Sequence, residues 1–249
     1  MLTDGPMARS VSDLKTAMEI LNGRDPRDPR SVTVSMEGSD SKRRAAVVKS
    51  IPGTECHPSV VEGVERAASS LADAGWEIVE NTPPGIDLCS EIWAHLLGAD
   101  VSLLMDAVRP ILSEEMAAAL DSGITEQFPL EIMDPNLVHS ERIRLAREWS
   151  VFFTEHPVVI MPTWPQQPFE HGADISEDSR SELIEILRFI TPANVLGLPS
   201  VALPVGVSEG LPQGVQCIAD RWRDDLALTA GSDIESSLGI ITPIDPITS

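Results

Sequence analysis

A strand–helix–strand pattern in the first third of the chain constrains the fold more than any other feature. Residues 45–51 form a short apolar run that suits a strand, and Pro58 opens a helical stretch that closes at Gly75. Residues 76–80 are a second strand candidate. Two strands joined by a helix through short connections generally lie parallel in one sheet. The pattern therefore predicts an α/β fold, with a largely buried β-sheet and helices on its faces.

The rest of the chain continues this alternation of helices and strands. Residues 10–22 form a predicted helix with Val11, Leu14, Met18 and Leu21 on one face, and Ser10 suits its N-cap. Strands predicted at 200–205 and 214–219 are joined by a short polar, glycine-containing segment, which favours an antiparallel hairpin. The remaining predicted elements are a loop at 24–30, a strand at 158–161, a helix over 181–196 that breaks near Pro192, and a helix at 224–238.

The middle of the chain, residues 88–149, is mostly helical in pattern. It is interrupted at Pro110, Pro129 and Pro135, and the interval 121–135 is predicted to be irregular. The proline-bearing tail after residue 238 is expected to be loosely held. Since no internal repeat and no clean linker divides the chain, residues 1–249 are interpreted as part of one domain.

The charge balance excludes several classes of partner. Eighteen Lys and Arg residues against 39 Asp and Glu residues give a formal net charge of −21. Such a chain repels phosphate backbones and anionic lipid surfaces, so neither nucleic acid nor a membrane is an expected partner. No apolar run approaches the length of a membrane span, and the N-terminal sequence lacks the pattern of a signal peptide. A soluble cytoplasmic protein is therefore expected.

Reactive side chains form no complete catalytic or metal-binding set in the sequence. The three cysteines are far apart, and the five histidines show no metal-ligand spacing, so neither a metal nor another cofactor is predicted. Cys56 and His57 are neighbours and could be interpreted as a nucleophile and its base, but the side chains of adjacent residues usually point in different directions. His57 is better explained as a capping neighbour of the helix that Pro58 opens. The segment holding Ser39, Ser41 and Lys42 is interpreted as a solvated linker.

A proline-rich loop, TWPQQPFEHG, follows the predicted strand at 158–161 and is long enough to line a site. Ligands of α/β proteins often bind beyond the ends of the strands, which makes Trp164 and Phe169 candidate ligand contacts. Packing of these aromatic rings onto the domain is an equal alternative. The glycine-containing segment VGVSEGLPQG lacks a phosphate-binding pattern and is interpreted as the hairpin loop.

Three landmarks, in order along the chain, resemble the C-terminal portion of the amidase signature family. They are DGPMARSVSDL, VVIMPTWPQQPF and the long run that begins TPANVLGLPSVALPVGVSEG. The resemblance implies hydrolysis of the carbon–nitrogen bond of a small linear amide, either neutral or aromatic. It also implies a partial amidase-signature fold with a mixed β-sheet, helices on both faces, and a variable, mostly helical insert at 88–149.

The resemblance assigns no catalytic residue to this chain. Family members use a Ser, cis-Ser, Lys triad, and all three positions precede the landmark that here begins at Gly5. The chain contains no Gly-Gly pair, and Lys15, Lys42 and Lys49 all follow that landmark. Three interpretations stay open. The chain is a fragment or truncated form of a longer amidase, which is the favoured interpretation, or one subunit that joins a separate N-terminal half, or a non-catalytic binding module. The partners considered are an amide substrate for the full-length form, an N-terminal half and, in a homo-oligomer, other copies of the chain.

The resemblance also bears on the substrate. Subunits that release ammonia from glutamine carry an acidic residue three positions before the threonine of the T-x-x-N run, and here Arg188 holds that place. A role with glutamine or tRNA is therefore disfavoured. Thr163, Trp164 and Asn194 are the candidate substrate-binding residues, although a structural role in the turn is the simpler account of Asn194.

Overall fold

The computed structural model describes residues 5–37, 41–121, 134–170 and 186–241. Within them, strands alternate with helices as the sequence predicts. The strands are β1 (Arg44–Val47), β2 (Glu77–Glu80), β3 (Val158–Pro162), β4 (Ser200–Ser208) and β5 (Leu211–Ala219). The α-helices are α1 (Val11–Leu21), α2 (Pro58–Asp73), α3 (Leu88–Val108), α4 (Glu114–Asp121), α5 (Val138–Glu155), α6 (Thr191–Leu196) and α7 (Asp224–Leu238).

The strands of the described residues form one mixed sheet in the order β2-β1-β3-β5-β4. Strand β1 pairs in parallel with both β2 and β3, and β5 pairs antiparallel with β3 and β4. The predicted crossover from β1 through α2 to β2 is therefore confirmed. Strand β1 is shorter than predicted, because the chain leaves the sheet after Val47 and Ile51 instead pairs with Thr54 in an isolated bridge.

The predicted antiparallel hairpin is also confirmed, but its strands are longer than the sequence pattern indicated. Glu209 and Gly210 form the turn, with φ angles of 54° and 81°. Two consecutive positive φ angles are typical of the tight turn that matches the twist of a hairpin. Most of the segment expected to be a loop therefore belongs to β4 and β5, with an irregularity between Pro204 and Gly206.

One hydrophobic core, called here the first core, lies between the sheet and helices α1, α2 and α7. Val11 of α1 is buried in it, and Leu14 and Met18 pack against it. The Ser10 hydroxyl caps α1 by accepting a hydrogen bond from the Asp13 amide. Leu21, which shares the predicted apolar face, is 64% exposed because the helix ends beyond the edge of the core.

A second core lies on the opposite face of the sheet, against α3, α5 and α6. Ala46, Val159 and Ile218 point into it from the strands, while Leu145 and Trp149 point into it from α5. The indole nitrogen of Trp149 donates a hydrogen bond to the Pro84 carbonyl at 2.9 Å. Helices thus cover both faces of the sheet, as predicted.

Several predictions fall partly outside the described residues. The helical character of 88–149 is confirmed for α3, α4 and α5, and Pro110 and Pro135 each lie in a short 3-10 segment. Pro129 and most of the interval 121–135 lie outside, as do residues 181–185, Ser39 and the tail from 242. Helix α6 begins at Thr191, with Pro192 in its first turn. No helix in the described part of the chain is long and apolar enough to span a membrane.

Candidate functional site

A cavity of about 460 Å³ opens beyond the C-terminal end of β3. Three elements form it: the loop after β3, the first turn of α2 and the tip of the β4–β5 hairpin. They meet because β3 pairs with β5 so that Pro162 lies opposite Val215. The lining residues are Ser59, Val60, Thr163, Trp164, Gln166, Gln167, Pro168, Phe169, Ser208, Leu211, Pro212, Gln213 and Gly214.

Two aromatic rings form the apolar wall of the cavity. The ring centroids of Trp164 and Phe169 lie 5.7 Å apart, with their planes tilted by 35°. This separation falls in the range that aromatic pairs prefer. Phe169 remains 46% exposed, so the pair still presents apolar surface to a molecule entering from outside. The rings therefore both pack against each other and face the cavity.

Hydrogen bonds fix the loop that carries these rings. The His57 amide donates to the Pro165 carbonyl at 2.7 Å, and the Gln166 side chain donates to the Glu55 carbonyl at 3.2 Å. On the other side, the Gln167 side chain donates to a Glu209 carboxylate oxygen at 2.8 Å. The loop is thus tied both to the segment before α2 and to the hairpin tip.

A buried polar network holds α2 against the hairpin beneath the cavity. The Gln213 side-chain nitrogen donates to the Ser59 carbonyl, and its oxygen accepts from the Arg66 guanidinium at 2.7 Å. The same guanidinium nitrogen donates to the Val205 carbonyl at 3.0 Å. The guanidinium occupies the space beside Gly206, whose backbone has a φ of 154° that residues with a side chain rarely adopt.

His57 is the N-cap of α2, which confirms the capping interpretation. Its Nδ1 accepts a hydrogen bond from the Ser59 amide at 3.3 Å, and the Ser59 hydroxyl lies 2.8 Å from the same nitrogen. Burial raises the pKa of the Cys56 thiol to about 11, so the thiol stays protonated near neutral pH. The nitrogen of His57 is engaged by the cap, and Cys56 is not an activated nucleophile.

Asn194 lies in α6, on the second-core side of the sheet, and is not among the residues that line the cavity. Its side-chain oxygen is buried without a hydrogen-bond partner in the described residues. A neighbouring hydrogen bond joins the hydroxyls of Ser90 and Thr191 at 2.9 Å. Of the three candidate substrate-binding residues, Thr163 and Trp164 therefore line the cavity, and Asn194 does not.

Gln216 connects the start of α6 to the loop after β3. Its side-chain nitrogen donates to the Pro162 carbonyl at 2.9 Å and to the Phe189 carbonyl at 2.8 Å. Ser200 donates to its side-chain oxygen at 3.1 Å. This one buried amide fixes the direction in which the chain leaves β3, and hence the position of Thr163.

No group of three His, Cys, Asp or Glu side chains in the described parts of the chain could hold a metal ion. Cys89 and Cys217 are both buried, and burial raises the pKa of each thiol. The polar side chains that line the cavity carry hydroxyl and amide groups, and its other lining side chains are aromatic or aliphatic. These groups can bind and orient a molecule.

Comparison with known proteins identifies the family to which this chain belongs. A sequence model of the family described as Amidase matches residues 1–228. The chain belongs to the amidase family. It is 32% identical over 246 residues to an indoleacetamide hydrolase from Bradyrhizobium japonicum, covering 97% of this chain and 53% of that protein. It is 26% identical to a glutamyl-tRNA(Gln) amidotransferase subunit from Salinispora tropica, covering 97% of this chain and 56% of that protein.

Solved structures show the same fold. The chain matches a glutamyl-tRNA(Gln) amidotransferase subunit from Thermotoga maritima with a TM-score of 0.73 and 24% identity, covering 98% of this chain and 54% of that one. It matches a 6-aminohexanoate cyclic dimer hydrolase with a TM-score of 0.72 and 20% identity, covering 93% and 54% of the two chains. This amidase chain thus spans about half the length of the relatives that it matches.

The sequence pointed to part of this cavity and missed the rest. The family landmark TWPQQPF drew attention to Thr163 and Trp164. Gln213 and Gln216 were missed, although a polar side chain in the otherwise apolar strand β5 was a usable signal. Arg66 gave no signal, because a charged residue on a helix usually faces solvent.

Proposed function

We propose that this chain is the C-terminal part of a single-domain enzyme that hydrolyses the carbon–nitrogen bond of a small linear amide. The match of the amidase family to residues 1–228 is the observation that carries the proposal. In this proposal the Ser, cis-Ser, Lys triad lies in an N-terminal half, since none of its segments maps onto this sequence. Residues 88–149 form the part that varies with substrate.

The two halves would divide the reaction between them. The triad serine attacks the amide carbonyl carbon while a neutral lysine accepts its proton through the second serine. The lysine returns that proton to the amide nitrogen as the carbon–nitrogen bond breaks, so that the amine leaves and an acyl-enzyme remains; water then hydrolyses the acyl-enzyme, which releases the acid and restores the serine. This chain would supply the wall against which the substrate is oriented. Thr163 and Trp164 are suited to that role, because positioning a substrate beside a nucleophile lowers the entropic part of the barrier. Asn194 is proposed as a third contact, reached from the α6 side.

The proposed partners follow from this division of the reaction between an N-terminal half and the present chain. They are the amide substrate, the N-terminal half and, for a self-associating form, a second copy of the chain. The net charge of −21 argues against nucleic acid and anionic membranes. We place the protein in the cytoplasm.

A role in releasing ammonia from glutamine is less well supported. The relatives include amidotransferase subunits, but Arg188 stands where those subunits, by the resemblance, carry an acidic residue. A cation at this place would repel the ammonium group of free glutamine. A simple amide hydrolase is therefore the better proposal.

A chimera tests the proposal directly. The N-terminal part of the Bradyrhizobium japonicum indoleacetamide hydrolase, up to the start of its match to this chain, is fused to residues 5–241. Hydrolysis of indole-3-acetamide is then measured for the chimera, for the same chimera with its nucleophilic serine changed to alanine, and for the 249-residue chain alone. Turnover is expected from the first protein only.

Two results would contradict the proposal in different ways. Turnover by the highly purified chain alone would show that the triad assignment is wrong. A folded chimera without activity on a panel of small amides would favour the alternative class, a catalytically inert binding or interaction module. Circular dichroism and size-exclusion chromatography establish that the chimera is folded.

A further inference from the structure

We propose that three arginines gathered at the C-terminal end of α6, Arg30, Arg142 and Arg221, bind a small oxyanion with two negative charges, either inorganic phosphate or a phosphate monoester. This arginine cluster lies apart from the cavity beyond β3, whose described lining includes none of the three residues. The inference is independent of amide hydrolysis and can be tested without catalysis.

Two of the arginines reach the end of α6 from distant parts of the chain. The Arg142 Nε, from α5, donates to the Val195 carbonyl at 2.5 Å. The Arg221 guanidinium, from the segment after β5, donates to the Leu196 carbonyl through Nε at 2.8 Å and Nη2 at 2.6 Å. Because these two carbonyls belong to consecutive residues, both guanidinium groups lie at the same helix end. Arg30, in the loop after α1, adds a third positive charge close enough to act on Arg142.

Capping of α6 explains only part of this arrangement. Cations near the last carbonyls of a helix are favourable, and two of the three guanidinium groups satisfy such carbonyls. In that role Arg142 uses only its Nε, and Arg221 leaves its Nη1 unused. These remaining nitrogens and the whole Arg30 guanidinium form no hydrogen bond within the described part of the chain. The cluster therefore presents several donors in planar forks, which match the oxygens of a phosphate group.

The cluster also has no anionic partner among the described residues, although the chain has 39 acidic residues against 18 Lys and Arg. The carboxylates next to it in the sequence are engaged elsewhere. Glu141 pairs with Arg144 at 2.7 Å, and Asp220 accepts from the Ser150 hydroxyl at 2.9 Å. Asp28 accepts from a main-chain amide of its own loop at 2.9 Å. An external anion is therefore the partner that these three charges lack.

The backbone at Trp222 separates the cluster from an arginine that is fully paired. Trp222 has a φ of 65°, in the left-handed region that residues with a side chain rarely adopt. On one side of it, Arg223 binds both carboxylate oxygens of Asp225 at 2.9 and 3.0 Å. On the other side, Arg221 turns to the end of α6. A strained turn that positions a cation without an anionic partner is typical of a binding site.

Mutual repulsion within the cluster favours an anion between its members. Burial lowers the pKa of Arg142, and the positive charges of Arg221 and Arg30 lower it further. A phosphate group carries about 1.5 to 2 negative charges near neutral pH and accepts from several guanidinium groups at once. The net charge of −21 opposes the approach of an anion, but salt screens exposed charges farther than about 8 Å away. The three arginines act in direct contact and are screened much less.

Titration of the 249-residue chain with inorganic phosphate tests the inference. Isothermal titration calorimetry is performed at constant ionic strength, with sodium chloride replacing the phosphate. We expect saturable binding with a Kd of about 1 mM or lower. Arg30→Gln should weaken this binding about tenfold, because it removes a charged donor. Arg27→Gln is the matched control, since Arg27 lies in the same loop and is paired with Asp25 at 2.6 Å.

Charge reversal at the same position keeps the test decisive. Arg30 is exposed and its side chain forms no hydrogen bond within the described part of the chain, so Arg30→Glu should fold and should abolish phosphate binding. Unchanged affinity in this variant would overturn the inference, as would an equal loss in Arg27→Glu or the absence of saturable binding. Succinate, a dicarboxylate, should bind more weakly, and equal affinity for succinate would overturn the assignment to phosphate groups.

Glycerol 3-phosphate distinguishes the two sources of the phosphate group. Tighter binding than that of inorganic phosphate would assign the site to a monoester, and weaker binding would assign it to the free ion.

The chimera separates this inference from the proposed function. It contains all three arginines, so the same titration applies to it and serves if the chain alone is not folded. If the chimera hydrolyses amides but binds no phosphate, only the inference is wrong. If the folded chimera binds phosphate through Arg30 but has no amidase activity, the inference stands and the proposed function fails.

Discussion

Helices α2 and α3 cover opposite faces of the same sheet and differ in how they are buried. In α2 the buried residues recur at helical spacing, from Ser59 through Gly63 and Val64 to Leu71, and charged residues occupy the outer face. In α3 the residues 89–92 are buried in succession, whereas Leu104 near its end is 55% exposed. Helix α3 is thus enclosed on all sides near its start, whereas Leu104 near its end is uncovered. Its position therefore depends on the neighbouring helices and not on a single apolar stripe.

The largest expected effect is on the α2 side. Leu71→Ala should lower the free energy of unfolding by about 2–5 kcal/mol, because Leu71 is fully buried and its loss leaves a cavity between α2 and the sheet. Urea denaturation followed by circular dichroism measures the change. Leu21→Ala, at an exposed position, is the matched control. A loss below about 1 kcal/mol would show that the first core is not tightly packed.

On the α3 side we expect a smaller effect from a polar contact. Thr191→Val should cost about 1–3 kcal/mol, because it removes the buried hydrogen bond with Ser90 and the bond from Thr191 to the Arg188 carbonyl. Ser90→Ala should cost less, since the Thr191 hydroxyl keeps its other partner. If the double variant costs the sum of the two single variants, the side chains are not coupled.

Acidification should weaken the second-core side selectively. Burial lowers the pKa of His156, and the positive charge of Arg44 lowers it further against the opposing effect of Glu155 and Glu77. The unfolded chain therefore takes up a proton more readily, so stability falls as the pH drops below about 6.5. Hydrogen exchange at pH 7 and pH 5 should show earlier loss of protection in α5 than in α2.

Variants at two histidines sharpen that measurement. His156→Gln should flatten this pH dependence, whereas His139→Gln, at an exposed position on the same helix, should leave it unchanged. The same loss of protection in both variants would assign the pH effect to other groups, such as the many carboxylates of this acidic chain.

The smallest effect is expected at the uncovered end of α3. Leu104→Ala should change stability by no more than about 0.5 kcal/mol, because Leu104 is largely exposed. Thermal unfolding of this variant and of the wild type checks the value. A loss near that of Leu71→Ala would mean that Leu104 is covered in solution.

The sequence predicted the α2 side of the sheet well, because the helices and strands there have regular patterns set by residues that are close together in the sequence. Spacing alone located α2, and composition located the β4–β5 hairpin. The packing of α3 could not be predicted, since its buried residues are defined by contacts with α5 and α6, far along the chain.

The residues of the candidate site also differ in whether the sequence could predict them. A local motif located Thr163 and Trp164, whereas Gln213 and Arg66 become partners only when β5 meets α2. The substrate role of Asn194 stays a prediction.

The tight turn at Glu209 and Gly210 has a consequence for the order of folding. It joins the two strands of the described sheet that are nearest in sequence, and hairpins of this kind form in about 1–10 μs. Pairing of Ala45 with Val158, by contrast, closes a loop that contains helices α2 to α5. Because closing a long loop costs chain entropy before any contact compensates for it, we expect the hairpin to nucleate the sheet and β1 to join late. The wall of the cavity contributed by the hairpin would then exist before the loop carrying Trp164 docks against it.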